Sequence, residues 1–419
     1  MQADIITVGD EILIGQIIDT NANYLAGELS QLGFFVRKIH SVGDNSDSII
    51  DTLDDSIQNS DLTILTGGLG PTNDDITKKT LNQYFNGKFV VHEETLNKIR
   101  HFFSIRNRKL TERNAKQAEI PDNCEPLLNR IGTAPGMLFR KNKCTIISLP
   151  GVPFEMKDLF ENEVKPRLRQ NFKLPVRLKK TILTVGLPES YAADKLRNFE
   201  KNLEECFSLA YLPSPGILRL RLSISGNNID YLKEKLNKKV TEIIYLLDRQ
   251  NVYGFDDDSL PEIIGKLLIK HKFKITVAES CTGGYIAHQI TLIPGASEYF
   301  TGSVIAYSNN IKEELLGVNA NSIRSFGAVS REVVESMAKG VRDRMKSDFS
   351  IATSGIAGPD GGSSQKPVGT TWIAIATPEN VISKQFLFGE DRERNIIRAS
   401  VTAMNMLRIA ISDYVKNSK

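Results

Sequence analysis

The chain has 419 residues, more than one ordinary hydrophobic core organises, so two or three domains are expected. Its hydrophobic fraction of 41% and charged fraction of 25% are typical of globular proteins, and the net charge of +3 gives no indication of a nucleic-acid partner. Since the sequence has no run of about 18 apolar residues and its first residues do not resemble a signal peptide, we expect a cytoplasmic protein without a membrane partner.

The cysteines and histidines are scattered along the chain. The four cysteines form no CxxC pair and the five histidines no HxxxH or HExxH pair, which argues against zinc and against a disulfide framework. Any bound metal would therefore rest on carboxylate and carbonyl oxygens, which favour a hard cation such as magnesium.

The first 170 residues alternate between strands and helices. The segments ADIITVG, FFVRKIHSV and DLTILTGG have the pattern of buried strands, and CTIISLPGVPFEMKDLF repeats strand, turn and helix near residue 150. This order predicts a three-layer α/β/α domain over residues 1–170 with a mostly parallel sheet. The apolar residues at helical spacing between the strands are Leu25, Leu29, Leu32, Ile49, Leu53 and Ile57.

A smaller α+β unit is predicted over residues 178–252. The polar, proline-containing segment 171–178 is interpreted as a linker, and the acidic segment 253–259 as the next boundary. Alternating leucines then predict a half-buried strand, and a helix face follows. The strand residues are Leu218, Leu220, Leu222 and Ile224, and the helix residues are Leu232, Leu236, Val240 and Ile243.

Residues 259–419 are predicted to form a third, α/β domain. Its strands are KITVAES, GSVIAYS, FSIATSGIAG and TTWIAIAT, and a long helix follows Asp391.

The segment TGGLGPTNDDIT, Thr66–Thr77, has the composition of a phosphate-binding loop. Its glycines allow a ligand to approach the backbone at a strand end, and Asp74 and Asp75 precede a helix start. The first strand likewise ends in GDEILIG, which adds Asp10 and Glu11. Loops at the carboxyl ends of strands converge in such a sheet, so metal-activated water acting on a phosphoanhydride is the favoured chemistry. The alternative is that the glycines only form a turn, and that the aspartates only cap the following helix and lie on its solvent-exposed face.

The segment TVAESCTGGYIA, Thr276–Ala287, places two nucleophiles where a strand meets a helix. Cys281 has no base nearby in sequence except His288, roughly 10 Å away along a helix, so it is interpreted as a small buried hydrophobe. Ser280 is the better candidate, because the N–H groups of Thr282, Gly283 and Gly284 can face an oxyanion. The alternative for Ser280 is a helix N-cap.

The following strand and helix supply a base for that serine. Tyr307 closes the strand, and Lys312 lies five residues later, where a desolvated lysine can lose its charge and accept a proton. The alternatives are a core tyrosine and a solvated lysine. The glycine-rich loop Thr353–Thr371, which carries Lys366, has the composition of a loop that binds a phosphate or a ribose; the alternative is a simple connection between strands. Arg392 can donate two hydrogen bonds to a phosphate, and the alternative is that it lies in solvent.

These motifs together resemble the CinA family of bacterial competence- and damage-inducible proteins over essentially the whole chain. VGDEILIGQIIDTN, TGGLGPTNDDIT, GTAPG and LPGVPFEM are similar to its molybdopterin-binding-like domain. AESCTGG, the PGAS segment, GSVIAYSN, TSGIAGP and KPVGT are similar to its deamidase domain.

The resemblance implies two activities. The C-terminal domain would hydrolyse the carboxamide of nicotinamide mononucleotide, with Ser280, Tyr307 and Lys312 as catalytic residues and no required cofactor. The N-terminal domain would hydrolyse ADP-ribose to AMP and ribose 5-phosphate with a divalent metal, magnesium or similar, held by Asp74 and Asp75, and allows a monovalent cation beside it.

The expected substrate-binding residues follow from the same motifs. In the deamidase domain they are Thr282, Gly283, Gly284, Ser297, Thr353, Gly355, Gly358, Gly361 and Arg392. In the N-terminal domain they are Asp10, Glu11, Thr66, Gly67, Gly68, Gly70, Thr72 and Thr77.

The middle unit resembles the KH-type fold of the family, but it has no GxxG loop, so we expect no nucleic-acid binding. The resemblance also implies a homodimer. Two other hypotheses stay open: a nucleotide-binding scaffold with inactive sites, acting in competence or DNA-damage responses, and a molybdenum-cofactor nucleotidyltransferase, which leaves residues after 260 unexplained.

Overall fold

The computed structural model describes residues 1–72 and 74–417, which form two compact units. The first unit comprises Met1–Leu178 and Ser225–Ile229, and the second comprises Lys179–Ile224 and Asp230–Lys419. In the described ranges, no helix is both long enough and apolar enough to cross a bilayer.

The first unit contains a six-stranded sheet in the order β2-β1-β3-β8-β7-β6 and a separate β4-β5 ribbon. The neighbours from β2 to β8 are parallel, and the last two pairs are antiparallel. The strands are β1 Gln2–Val8, β2 Phe35–Val42, β3 Leu62–Thr66, β4 Phe89–Val91, β5 Glu119–Pro121, β6 Glu125–Leu127, β7 Gly136–Lys141 and β8 Cys144–Leu149.

Helices cover both faces of this sheet. Successive β1 residues face opposite sides: Ile5 packs with α2 and α7, whereas Ile6 packs with α3 and α4. The predicted three-layer arrangement is therefore confirmed. The helices are α1 Asp10–Leu13, α2 Thr20–Leu32, α3 Ser46–Asn59, α4 Thr77–Tyr84, α5 Glu93–Ser104, α6 Glu112–Ala115, α7 Pro153–Leu159 and α8 Lys165–Asn171.

The middle region forms a four-stranded sheet in the order β10-β11-β9-β12. The predicted alternating strand and apolar helix face are confirmed, as is the α+β class. The predicted linker 171–178 is too long, because α8 extends to Asn171 and the next strand already begins at Val176. The elements are β9 Val176–Val185, α9 Glu189–Lys201, β10 Phe207–Ser214, β11 Ile217–Gly226, α10 Ile229–Leu246 and β12 Val252–Phe255.

The C-terminal region is built on a five-stranded sheet in the order β14-β13-β15-β16-β17. The first three strands are parallel and the last two pairs are antiparallel. The strands are β13 Ile275–Glu279, β14 Phe300–Ile305, β15 Phe349–Gly355, β16 Thr370–Ala376 and β17 Val381–Leu387. The helices are α11 Leu260–His271, α12 Tyr285–Thr291, α13 Asn309–Leu316, α14 Ala320–Phe326, α15 Arg331–Met345 and α16 Arg392–Asn417.

Two separate cores lie on the faces of this second sheet. Val277 belongs to the core formed with α11, α12 and α16, and its neighbour Ala278 to the core formed with α15. The predicted α/β class is confirmed, although the edge strand β17 was not predicted. Because β13 and β14 run parallel, the loops after both strands lie at one edge of the sheet.

Candidate active site

Ser280 stands directly after β13, in the turn that leads to α12. Its N–H donates to the carbonyl oxygen of Thr353 on the adjacent β15, at 3.0 Å, and its own carbonyl oxygen accepts the N–H of Gly283 at 3.2 Å. These bonds fix the turn against the neighbouring strand. The Ser280 side chain is thereby held at the carboxyl edge of the sheet, and the residue is 8% exposed.

Lys312 lies in the first turns of α13, after β14 on the other side of β13. The helix begins where the Ser308 hydroxyl accepts the Ile311 N–H, an N-cap that sets the direction of this turn. Lys312 is 1% exposed, and its Nζ lies 3.1 Å from Ser280 Oγ. The structure therefore brings together the serine and the lysine that the sequence spacing predicted as partners.

The surroundings of the Lys312 amine suit a base. Burial lowers the pKa of Lys312 from its ordinary value, because a buried ammonium loses its hydration. Nζ donates to the carbonyl oxygens of Ala306 and Tyr307, at 2.8 and 3.4 Å. A neutral amine has two N–H donors and one lone pair. In the neutral form, both donors would lie on these carbonyls, and the lone pair would be free to accept the hydroxyl proton of Ser280.

Cys281 is buried, 7% exposed, beside this pair. Burial raises the pKa of its thiol to about 12, so the thiol keeps its proton at neutral pH. Because the thiolate is the reactive form of cysteine, this burial favours Ser280 over Cys281 as the nucleophile. The geometry supports the interpretation of Cys281 as a small hydrophobe.

Glu279, the last residue of β13, is a fully buried carboxylate that the sequence analysis missed. Its oxygens accept the backbone N–H groups of Gly284, Ile286 and Ala287 at 2.9 to 3.1 Å, and they cap the start of α12. An acidic residue at the end of an otherwise apolar strand was the available signal.

This capping corrects the predicted oxyanion site. The N–H of Gly284 binds Glu279 and that of Gly283 binds the Ser280 carbonyl, so neither is free for a substrate. The N–H groups of Cys281 and Thr282 donate to no other residue in the described part of the chain. Of the three predicted donors, only Thr282 remains available, and Cys281 joins it.

Tyr307 and Arg392 meet at the open side of the site. Tyr307 is 61% exposed, and its hydroxyl lies 3.2 Å from Arg392 Nη2. Arg392, which opens α16, also donates from Nη1 to the carbonyl oxygen of Gly358 at 2.7 Å. The structure thus brings three predicted residues together, and it leaves a tyrosine hydroxyl and a guanidinium exposed side by side.

The other residues predicted for this domain are placed differently. The Thr353 hydroxyl contacts that of Thr282 at 2.8 Å and joins two loops, whereas the exposed Gly361 lies farther along the glycine-rich loop after β15 and Gly355. Lys366 is not a ligand-binding cation: its Nζ donates to the carbonyl oxygens of Phe326 and Val329 and ties that loop down.

Ser297 is not brought to the site. Helix α12 carries the chain away from the carboxyl edge, and β14 begins at Phe300, which pairs with Ile275 at the start of β13. Ser297 precedes β14 and so lies at the amino edge, about 16 Å from Ser280 along a five-residue strand. The structure therefore does not bring Ser297 to Ser280 and Lys312 within this chain.

A second candidate site occupies the carboxyl edge of the sheet in the first unit. The backbone N–H of Asp10 donates to Asp44 Oδ2 at 3.1 Å, and the N–H of Asp44 donates to Asp10 Oδ1 at 3.2 Å. Burial raises the pKa of the Asp44 carboxyl, and the negative charges of Asp10, Glu11 and Asp74 raise it further. Such mutual repulsion is relieved by a cation, and carboxylate oxygens are the type of ligand that a hard divalent metal prefers.

Asp44 was missed by the sequence analysis, although a signal was present. Val8-Gly9-Asp10 follows β1, and Val42-Gly43-Asp44 follows the neighbouring β2 in the same pattern. Parallel strands bring such matching ends together.

Asp75 does not join this cluster, and its assignment as a metal ligand is corrected. Its Oδ1 accepts the Gly70 N–H at 2.8 Å, and its Oδ2 accepts the Thr72 N–H at 2.9 Å and the Thr72 hydroxyl. The carboxylate therefore closes the loop from within. The neighbouring Asp74 side chain is exposed.

Two of the three predicted threonine hydroxyls are likewise used inside the protein, whereas that of Thr77 is buried without a hydrogen-bond partner among the described residues. Thr72 bonds Asp75, and Thr66 Oγ1 donates to the Pro150 carbonyl oxygen at 3.0 Å. Both threonines shape the loop, and their predicted side-chain contacts with a ligand are not available.

Gly67 is required where the glycine loop leaves β3. Its φ is +112°, and a Cβ at this position would lie 2.1 Å from the carbonyl oxygen of Val8. Gly68 follows with φ of +66° against Thr77, whose N–H donates to the Gly68 carbonyl oxygen at 3.1 Å. Only glycine allows this approach of the loop to β1.

Comparisons with known families cover almost the whole chain. The profile described as "Probable molybdopterin binding domain" matches residues 4–170, and "Damage-inducible protein CinA KH domain" matches residues 179–254. "CinA C-terminal domain" matches residues 257–411.

Relatives of known sequence match nearly the whole chain. A CinA-like protein of Cytophaga hutchinsonii is 45% identical and covers 97% of both chains. A protein of Halothermothrix orenii named as competence-damage inducible is 40% identical over 94% of this chain and 95% of its own. The solved structure of the competence/damage inducible protein CihA from Agrobacterium tumefaciens is 34% identical, covers 37% of this chain and 97% of its own, and has a TM-score of 0.35. The chain therefore belongs to the CinA family of competence- and damage-inducible proteins.

Proposed function

We propose that the second unit is an amidase that hydrolyses the carboxamide of nicotinamide mononucleotide to nicotinate mononucleotide and ammonia. The observation that carries this proposal is the buried contact of Ser280 Oγ with Lys312 Nζ, at 3.1 Å. A hydroxyl beside a neutral amine is an activated nucleophile, and amide hydrolysis needs one.

The reaction begins when Ser280 Oγ attacks the carboxamide carbon and its proton passes to Lys312. A tetrahedral intermediate forms with a negative oxygen. When it collapses, Lys312 returns the proton to the departing nitrogen, ammonia leaves, and an ester to Ser280 remains. Water, activated by Lys312, then attacks the ester and releases the carboxylate. Direct attack of water on the amide is the alternative route.

The turn after Ser280 supports the intermediate. The N–H groups of Cys281 and Thr282, which bind no other described residue, would donate to the negative oxygen. Glu279 positions these amides by holding the start of α12. It does not touch the substrate and acts through the turn.

Recognition of the nucleotide falls to the exposed groups. Arg392 is held by the Gly358 carbonyl and lies next to the Tyr307 hydroxyl. The guanidinium is a charged donor and the hydroxyl a neutral one, and together they suit a phosphate. Tyr307 thus orients the substrate, while its carbonyl oxygen holds Lys312.

The test is to incubate the full chain with nicotinamide mononucleotide and to measure ammonia and nicotinate mononucleotide. We expect equal amounts of both products, and a large drop in kcat/KM for the riboside without phosphate. If the pure protein releases no ammonia from the nucleotide, the proposal fails, and the nucleotide-binding scaffold becomes the better hypothesis.

For the first unit, we propose metal-dependent hydrolysis of ADP-ribose to AMP and ribose 5-phosphate. The acidic cluster around Asp44 supports this second activity. Asp10, Asp44 and Asp74 would hold a divalent metal, which when bound neutralises diphosphate charge and lowers the pKa of water. The glycine loop directs the diphosphate to the cluster. Water adds to one phosphorus, and the bridging P–O bond breaks.

Two neighbouring aspartates give a matched pair of variants. We expect Asp74→Asn to lower metal-dependent ADP-ribose hydrolysis about 100-fold with little change in Tm, because the exposed amide keeps an acceptor for the Thr72 hydroxyl but loses the charge that would bind the metal. Asp75→Asn is expected to destabilise the protein by about 1–3 kcal/mol, since the amide keeps one acceptor oxygen and places its NH2 donor against the N–H of either Gly70 or Thr72. Hydrolysis and thermal melts of both variants check this. Full activity in Asp74→Asn would remove Asp74 from the site.

A further inference from the structure

A cleft of about 360 Å³ lies within the second unit, between the sheet of the middle region and the helices α11 and α16. Its volume is in the range of small-molecule sites, roughly 300–1,000 Å³. The cleft is separate from the proposed amidase site, because Ser280, Lys312 and Arg392 do not line it. Its apolar wall consists of Leu183, Ile217, Leu260, Pro261, Val401 and Met404.

The hydroxyl of Tyr253, at the end of the middle sheet, is the unusual group of this cleft. Tyr253 lines the cleft and is 8% exposed, and its hydroxyl has no hydrogen-bond partner among the described residues. Burial raises the pKa of Tyr253, so the hydroxyl keeps its proton at neutral pH and stays a donor. Buried tyrosine hydroxyls usually have a partner, so an unpaired one in a cleft wall indicates a ligand with a polar atom.

Charges of both signs lie close to this hydroxyl. The positive charge of Arg219 lowers the pKa of Tyr253 and the negative charge of Asp258 raises it, so both groups are near the phenol. They do not pair with each other. The Arg219 side chain is exposed and makes no hydrogen bond or ion pair in the described part of the chain, and Asp258 Oδ2 accepts the Phe255 N–H at 2.9 Å. A cation and a carboxylate that line one cleft without pairing suit a ligand that carries both signs.

The neighbouring acidic residues offer one more carboxylate. Asp256 is already neutralised, because its Oδ2 lies 2.6 Å from Lys180 Nζ. Asp257 is exposed, and its side chain has no ion-pair partner in the ranges that the structure describes. The polar side of the cleft therefore provides a guanidinium and a hydroxyl for an anion, and the carboxylates of Asp257 and Asp258 for an ammonium group.

We propose that this cleft binds a free α-amino acid with an aliphatic side chain. The guanidinium of Arg219 and the hydroxyl of Tyr253 donate to its carboxylate, and Asp257 and Asp258 accept from its ammonium group. Because both charges of the cleft lie near one phenol hydroxyl, the two charges of the ligand must be close together, as they are on an α-carbon. The apolar wall then takes the aliphatic side chain. This binding site goes beyond both proposed hydrolytic activities and does not depend on either.

Calorimetric titration of the full chain tests the proposal, with leucine, isocaproate and isoamylamine as probes. The three share a branched aliphatic chain, but isocaproate lacks the ammonium group and isoamylamine lacks the carboxylate. We expect leucine to bind at least about 10-fold more tightly than either of the others, since each of them leaves one charged partner in the cleft unused.

Substitutions assign the two charges of the ligand to the two sides of the cleft. Arg219→Gln should weaken leucine binding about 10- to 100-fold and leave isoamylamine binding unchanged. Asp257→Asn should weaken leucine binding about 10-fold and leave isocaproate binding unchanged. Both side chains are exposed and make no bond with other described residues, so Tm should not change in either variant.

Arg221→Gln is the matched control. Arg221 lies two residues after Arg219 on the same exposed face of β11, but it does not line the cleft. This variant loses the same charge from the same strand, so it should bind leucine as the natural protein does.

Four results would overturn the amino-acid site: no binding of leucine, isocaproate or isoamylamine binding as tightly as leucine, unchanged leucine affinity in Arg219→Gln, or an equal loss in Arg221→Gln. None of these outcomes depends on ammonia release or on ADP-ribose hydrolysis, so the site and the proposed activities stand or fall separately.

Discussion

Ser280→Ala is expected to lower kcat for ammonia release from nicotinamide mononucleotide by at least about 10³-fold. The variant removes the hydroxyl that the Lys312 amine contacts, while Lys312 keeps its two carbonyl partners. The fold should be unaffected, because the turn is fixed by the backbone bonds of Ser280 and by Glu279. Steady-state assays at saturating substrate, with a thermal melt, measure both effects.

The adjacent Cys281 provides the matched control. Cys281→Ala should retain kcat within about threefold, since a thiol whose pKa is raised to about 12 does not take part as a thiolate. If Cys281→Ala were inactive and Ser280→Ala active, the assignment of the nucleophile would be reversed.

Trapping of the acyl group separates the two routes of hydrolysis. With an acyl-enzyme, hydroxylamine added to the natural protein should divert product to the hydroxamate, and mass spectrometry should find the acyl group on Ser280. With direct attack by water, no acyl group should appear on the serine.

Lys312→Met is expected to lower kcat about 10²- to 10⁴-fold, the range of a general base. Methionine fills much of the lysine's volume but cannot accept the Ser280 proton. Because serine and lysine act as one unit, the double variant with Ser280→Ala should lose little more than either single variant. Additive losses would show that Lys312 acts independently of the serine.

The pH dependence of kcat tests whether Lys312 acts as a base. The base acts only when unprotonated, so kcat should rise with pH, with a slope of one in the logarithmic plot, and level off above the pKa of Lys312. Burial lowers this pKa, so the plateau should begin below the range of a solvent-exposed lysine. Lys312→Met should lose this rising limb. A natural enzyme with a flat profile through acid and neutral pH would contradict the assignment.

The sequence was sufficient for the Ser280–Lys312 pair because the relevant geometry is regular. A serine at the end of one parallel strand and a lysine in the first turn of the helix after its neighbour must meet at one edge of the sheet. The same rule, applied to α12 and β14, excludes Ser297 from that edge.

The side-chain directions inside loops were beyond sequence reasoning. Asp74 and Asp75 are adjacent and chemically identical, yet one faces outward and the other closes the loop onto Gly70. Their difference depends on the backbone torsions of the turn and on which N–H groups need an acceptor. The capping role of Glu279 could not be predicted for a similar reason, because it depends on where the backbone amides at the start of α12 lie.

Strand β17 was missed for a different physical reason. It pairs only with β16 and forms the sheet edge, so its residues are half-buried or exposed and show little hydrophobic periodicity. Central strands such as β13, buried along their whole length, carry a far stronger signal.

The pairing of Arg392 with Tyr307 and Gly358 has a consequence for how the family can diverge. The proposed nucleophile and base lie within Ser280–Lys312. The Arg392 guanidinium lies at the start of α16, and the carbonyl oxygen that holds it belongs to Gly358 in the loop after β15. If the second unit is the proposed amidase, mutations in these later segments would alter which phosphorylated amide it accepts and leave Ser280 and Lys312 unchanged. Relatives with new substrates should therefore differ first around Gly358 and Arg392, and natural selection can explore specificity there without loss of the chemistry.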